Sequence, residues 1–221
     1  MSTILITGAG RGLGYELARQ YAADGWRVIG TVRSSQAKMP AHVERQIADV
    51  TDRKQIAALA KALRGVALDV LFCNAGISGK RGMALGSFDY ESWEEVLRVN
   101  LLGAAAVAEA LLPNLLAGER KVIAMMSSRL GSIAEASGMT LPYATSKAAL
   151  NMLVKGLAAQ LAPKSMIVVA LSPGWVRTDM GGASAPLAPE SSVAGLRQVI
   201  AGLTSRDGGK FLSHDGSPIP W

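Results

Sequence analysis

One cysteine, Cys73, occurs in 221 residues, so no internal disulfide can form and a reducing, cytoplasmic setting is expected. No basic leader precedes the first apolar run, Thr3-Ile4-Leu5-Ile6-Thr7, and no secretory signal is expected. Charges interrupt every apolar run before it reaches membrane-spanning length, which excludes a membrane partner at this level. The formal net charge is +6, yet the lysines and arginines never gather into a block. That scatter argues against nucleic acid, whereas a small molecule carrying several phosphates would suit the same sign of charge. No His/Cys/carboxylate cluster suggests a metal, and His42 and His214 read as surface residues. Internal repeats, low-complexity tracts and linkers are missing too. What remains is 49% hydrophobic and 18% charged, the composition of one ordered domain with a substantial core.

The chain carries a tyrosine and a lysine at helical spacing, Tyr143-Ala144-Thr145-Ser146-Lys147. Leu150, Leu153, Val154, Leu157 and Leu161 continue that helix independently of the pair. Tyr143 and Lys147 then share a face, and an ammonium beside a phenol favours phenolate and lowers its pKa. Taken alone, the pair reads as a half-buried tyrosine and a solvated lysine at a helix start.

Thr3–Thr7 reads as a buried strand that runs into Thr7-Gly8-Ala9-Gly10-Arg11-Gly12-Leu13-Gly14. Leu17, Ala18 and Tyr21 then continue at helical spacing as far as Asp24-Gly25. Strand, glycine turn and helix bring backbone N–H groups and a positive helix end to a phosphate. A second strand, Trp26–Val32, ends in Val32-Arg33, where a dinucleotide fold meets the adenosine ribose. No carboxylate stands there to hold a 2′-hydroxyl. Arg33, with Arg11 in the glycine loop, suits a 2′-phosphate and favours NADP over NAD. A third strand, Val43–Val50, ends in Asp49-Val50, and Asp49 either faces an adenine amino group or is a plain polar strand end. Thr51 or Asp52 can cap the helix that follows. The fourth strand, Leu68–Cys73, runs into Asn74-Ala75-Gly76, and one long helix is expected from Glu91 to Ala117 with Asn100 on its apolar face. That buried amide must find partners, either capping a kink or holding a water.

Lys121–Met126 is a fifth strand followed by Ser127 and Ser128. Ser165–Leu171 is a sixth, leading to a loop that holds Pro173, Gly174 and a candidate hinge at Gly181-Gly182. A helix from Pro189 to Leu203 and a short strand at Lys210–Ser213 follow. The alternation predicts a single α/β domain, a doubly wound parallel sheet of about seven strands with helices on both faces.

The glycine loop, Asn74-Ala75-Gly76, Asn100, Ser128, Tyr143-x-x-x-Lys147 and Pro173-Gly174 resemble, in order and spacing, the short-chain dehydrogenase/reductase family over essentially the whole chain. Met126–Ser132, Pro173–Gly182 and Asp215–Trp221 are similar to the branch containing C-factor and the Sniffer-type carbonyl reductases. The resemblance implies a Rossmann-type fold binding NADP(H). Its contacts would be Gly8, Gly10, Arg11, Gly12, Leu13, Gly14, Arg33, Asp49, Val50, Asn74, Ala75, Gly76, Tyr143, Lys147, Pro173, Gly174, Val176 and Thr178. It also implies reduction of small aldehydes or ketones. Tyr143 would give the proton, Lys147 would bind ribose hydroxyls and depress the Tyr143 pKa, Ser128 would bind the substrate oxygen, and Asn100 would hold a water. Ser128, Met139, Trp175 and Met180, with Met126, would line the substrate pocket. Cys73 departs from the family pattern, which usually has asparagine there. Ser128 lies 143 − 128 = 15 residues before Tyr143, slightly more than is commonest, which keeps Ser132 as a lesser candidate. Members often pair through the helices carrying Asn100 and Tyr143 and some are monomers, so a homodimer stays open. A dinucleotide-binding signalling or interaction protein of C-factor type is the other reading.

Overall fold

The computed structural model describes residues 1–221. Its strands are β1 (Thr3–Ile6), β2 (Arg27–Val32), β3 (Val43–Ile47), β4 (Val70–Cys73), β5 (Val122–Met126), β6 (Ile167–Ser172) and β7 (Phe211–Ser213). The main helices are α1 (Gly12–Ala23), α2 (Arg53–Ala62), α3 (Tyr90–Leu97), α4 (Ala104–Ala110), α5 (Leu112–Ala117), α6 (Leu141–Leu161) and α7 (Pro189–Gly202). All strand pairs are parallel, in the order β3-β2-β1-β4-β5-β6-β7.

Alternate residues of each central strand face opposite ways, which splits the core into two layers. Ile4 and Ile6 pack with Leu17 and Tyr21 of α1 and with Leu196 and Ile200 of α7. Leu5 points to the other layer, with Ile56 and Leu59 of α2, Val107 of α4, and Leu150 and Val154 of α6. β1 lies between β2 and β4, so the strand order reverses beside it and opens a crevice at the carboxyl ends of β1 and β4. Both the glycine loop and Asn74-Ala75-Gly76 leave their strands at that crevice.

The expected long helix is the largest departure. It is broken twice, because Arg98–Gly103 forms a π-helical turn and Leu111 (φ −99°, ψ 7°) interrupts the chain before α5. The second break has a covalent cause, since Pro113 has no N–H with which to continue the ladder. The first sits where the helix passes close to Val50: a Cβ on Gly103 would lie 2.8 Å from Val50 Cγ2. π-turns of this kind often mark functional positions, and Asn100 lies within this one. β3 also stops earlier than expected, at Ile47; it is the edge strand, and Asp49 turns back to accept from Thr51 N and Oγ1 at 2.9 and 2.7 Å. Asp52 is the cap of α2, accepting from Lys54 N at 2.8 Å and Gln55 N at 3.2 Å.

At the opposite end of the sheet a buried carboxylate, Asp69, ties three backbone segments together. It accepts from Thr3 N at 2.8 Å, Glu119 N at 3.1 Å and Arg120 N at 3.3 Å. Asp69→Ala leaves these donors unpaired and is expected to cost about 2–3 kcal/mol, read as a lower urea midpoint with an unchanged slope.

Candidate active site

The glycine loop is built for close approach. Gly8 (φ +70°) and Gly12 (φ +53°) lie in the left-handed region, and a Cβ on Gly14 would stand 2.2 Å from the Gly8 carbonyl oxygen. Thr7 Oγ1 accepts from Asn74 N and Ala75 N, both at 3.0 Å, and Asn74 Nδ2 donates to the Thr7 and Gly8 carbonyls at 2.9 and 3.3 Å. Thr31 Oγ1 accepts from Gly8 N at 3.2 Å. The loop is thus stitched to both neighbouring strands. No side chain caps α1, so the N–H groups of its first turn stay open toward the crevice.

Arg33 is exposed at the end of β2 and makes no hydrogen bond or ion pair. Arg11 is exposed too, 3.5 Å from Asp179 across the crevice. Asp49 is half-buried beside buried Val50.

On α6 the Tyr143–Lys147 pair does share a face, with Lys147 Nζ 5.5 Å from the phenol ring centroid. Lys147 is buried and donates to the Met126 carbonyl at 2.7 Å, its one hydrogen-bond partner. An ammonium has three donors, so two remain. Nζ would lie 3.6 Å from a Cβ on Gly76, which places those donors at the crevice floor.

The expected depression of the Tyr143 pKa is not what the chain alone produces. Burial pushes the phenol up to about 12, and the Ser128 hydroxyl opposes that rise. Lys147 exerts no comparable pull, because an amine brought down to about 8 has lost its charge before such a phenol titrates. Burial also brings the Lys147 amine down to about 8, opposed by the Cys73 thiol. Cys73 packs behind the pair, its own thiol pushed up to about 12 by burial.

Ser128 is thereby placed beside Tyr143, although no hydrogen bond of 3.5 Å or less joins them; its Oγ accepts from Leu130 N at 3.3 Å. Ser132 is buried and accepts from Glu135 N at 3.2 Å, which engages it in its own turn. Asn100 is 1% exposed, and its partners are protein groups. Nδ2 donates to the Ile77 carbonyl at 2.9 Å and to Ser146 Oγ at 3.0 Å, and Oδ1 accepts from Ile77 N at 2.9 Å. Both amide donors are therefore committed to holding the segment after β4 against α6.

The short-chain dehydrogenase family model matches residues 2–186. The chain belongs to the short-chain dehydrogenase family. It is similar to C-signal of Myxococcus xanthus, 42% identical over 155 residues, which cover 70% of this chain and 93% of that protein. Among solved structures, carbonyl reductase Sniffer of D. melanogaster superposes with a TM-score of 0.94 at 32% identity, over 100% of both chains. A short-chain dehydrogenase/reductase from Burkholderia multivorans with bound NADP gives 0.90 at 33%, over 100% of this chain and 99% of the other.

Of the four expected pocket residues, Met139 borders a cavity that the other three do not. Met139 lines a cavity of about 160 Å³ with Ile133, Leu141 and Ala144, on the outer side of α6. Ser128, Trp175 and Met180 do not border it, because Ala144 and Ala148 present a different helix face from Tyr143 and Lys147. Trp175 and Met180 lie exposed on the loop after β6. Gly181 there is no free hinge: a Cβ would stand 2.0 Å from the Val176 carbonyl oxygen. Trp175 Nε1 donates to the Gly181 carbonyl at 2.8 Å, and Thr178 Oγ1 accepts from Gly181 N at 3.1 Å. Buried Val176 bridges Leu187, and Thr178 Cγ2 would lie 3.8 Å from a Cβ on Gly12, so this loop reaches back to the glycine turn. Pro173 and Gly174 open the loop, with the Pro173 carbonyl accepting from Ser192 Oγ at 2.6 Å. His214 is not a simple surface residue; it is half-buried, and its ring lies 3.3 Å from a Cβ on Gly174.

Sequence reasoning passed over Thr31, Ser146 and Asn151, and gave Thr7 no role beyond the glycine motif. Their signal was a polar residue where a strand end or helix face should be apolar. No helix is long and apolar enough to cross a membrane.

Proposed function

We propose that this chain is an NADPH-dependent reductase of small, fairly apolar aldehydes and ketones. The observation that carries this reading is Ser128, Tyr143 and Lys147 meeting at one end of α6, beside a glycine cradle with open N–H groups. The residues present fit the cofactor. The open first turn of α1 suits its pyrophosphate, unpaired Arg33 its 2′-phosphate, and the two spare Lys147 donors its ribose hydroxyls. NADP in the Burkholderia multivorans structure supports the choice. When bound, the nicotinamide supplies the hydride that the carbonyl carbon receives.

The chain's own groups do the rest. The Ser128 hydroxyl donates to the carbonyl oxygen, where negative charge develops, and Tyr143 delivers the proton there. A phenol pushed up to about 12 keeps its proton at neutral pH, so Tyr143 is held in the form that reduction needs. Asn100 keeps the floor of the site in place.

Consumption of NADPH absorbance with a panel of carbonyl compounds tests the assignment; no turnover with any of them would refute it. Two finer outcomes follow. Arg33→Ala is expected to raise KM for NADPH about tenfold and leave KM for NADH unchanged, and an equal change in both would remove Arg33 from the 2′-phosphate site. The second concerns pH. Lys147 holds its charge below about 8 and loses it above, so kcat/KM for NADPH should fall as pH rises past about 8. A profile flat through that range would show that the Lys147 ammonium does not hold the cofactor.

The 42% identity to C-signal favours one other reading, an NADP(H)-binding signalling or interaction protein with little turnover. The same carbonyl panel separates the two.

A further inference from the structure

Ser128 can serve a substrate oxygen only if its hydroxyl is held beside Tyr143, and these residues come from separate elements. The segment Ser127–Gly131 leaves β5 and makes a 3₁₀ turn at Arg129–Gly131. One side chain of α6 grips it at both ends. Asn151 Oδ1 accepts from Ser127 Oγ at 2.6 Å, and Asn151 Nδ2 donates to the Gly131 carbonyl at 3.1 Å. Asn151 is 3% exposed and Ser127 1%, so water does not compete. It stands 151 − 147 = 4 residues after Lys147 and 151 − 143 = 8 after Tyr143, on the same helix face. Gly131 is seated directly on that helix, since a Cβ there would lie 2.8 Å from Lys147 C and Cβ. The neighbours Leu150 and Val154 are fully apolar core, and an amide among them is costly unless both its ends are paired. Both ends are paired, to the residues that bracket Ser128.

We propose that Asn151 is a positioning residue: acting through Ser127 and Gly131, it fixes the Ser128 turn in register with the helix that carries Tyr143 and Lys147. The proposal rests on the reading of Ser128 as the donor to the substrate oxygen. Loss of the grip lets the hydroxyl drift, and small displacements of a reacting group are expensive in rate.

The test is a double-mutant cycle between Asn151→Leu and Ser128→Ala, read with NADPH and one carbonyl substrate. Asn151→Leu is expected to lower kcat about tenfold with KM for NADPH unchanged, because the cofactor cradle is not touched. In the Ser128→Ala background it should lower kcat little further, since the group it positions is gone. A general structural role would lower kcat equally in both backgrounds, and that result overturns the proposal. So does full kcat in Asn151→Leu when Ser128→Ala alone has lost activity. Full kcat in Ser128→Ala overturns the Ser128 reading itself and the proposal with it, which keeps the two failures distinct. Should Asn151→Leu not fold, Ser127→Ala removes one bond of the grip. A fall in kcat that vanishes in the Ser128→Ala background supports the proposal, and an unchanged kcat overturns it.

Discussion

Tyr143→Phe should lower kcat for carbonyl reduction by about three orders of magnitude while NADPH still binds, as judged by cofactor fluorescence. The ring remains, so its packing and the Lys147 ammonium over its face are preserved. What disappears is one proton. Hydride addition to a carbonyl leaves an alkoxide, and the phenol is the acid proposed to neutralise it. Ser128 can donate a hydrogen bond to that oxygen but cannot readily part with its own proton, so it is no substitute. The Lys147 ammonium, with its amine brought down to about 8, is a stronger acid than the phenol. In the proposed complex, however, its two spare donors serve the ribose hydroxyls rather than the carbonyl oxygen. If Tyr143→Phe turned over near the parent rate, the proton would come from elsewhere and the proposed reaction would lose its acid.

Gly14→Ala carries the second large effect, and its origin is steric. The new Cβ would meet the Gly8 carbonyl oxygen at 2.2 Å and Asn74 Nδ2 at 2.4 Å. The first is backbone and cannot swing aside, so the glycine turn and the start of α1 must separate. Loss of two hydrogen bonds from Asn74 to that turn would follow. The expected cost is about 3 kcal/mol in stability, with NADPH affinity down about a hundredfold as the first-turn N–H groups move off the phosphate. Gly12→Ala is the contrast. Its Cβ meets nothing nearer than Thr178 Cγ2 at 3.8 Å, so only the positive φ of +53° is penalised, by about 1 kcal/mol. Equal losses in the two variants, measured by urea unfolding and NADPH titration, would show that conformational freedom rather than close approach explains Gly14.

Much of this was legible in the chain itself. The apolar runs at Ile4–Ile6, Val70–Cys73 and Val122–Met126 read as buried strands because both of their faces are covered, leaving no polar alternation to mislead. The stretch from Glu91 to Ala117 reads as one continuous helix because its apolar spacing does not lapse. The second break comes from a missing N–H at Pro113, whereas the first lies where Gly103 passes close to Val50, a contact between residues far apart in sequence. Met139 borders a cavity that Trp175 and Met180 do not, for a similar reason. Being apolar near the site says nothing about which face of α6 or which side of a loop a residue takes.

Order along the chain, then, was enough to fix the sheet and the glycine turn and to put a phenol and an amine on one helix face, because each is signalled by short-range spacing. Folding in three dimensions decided the protonation states and the support. Burial raised Tyr143 and lowered Lys147, Asn100 was drawn to Ile77 and Ser146, and Asn151 came to grip both ends of the Ser128 turn. Those outcomes depend on dielectric and on partners from other elements, and neither quantity exists until the chain has closed on itself.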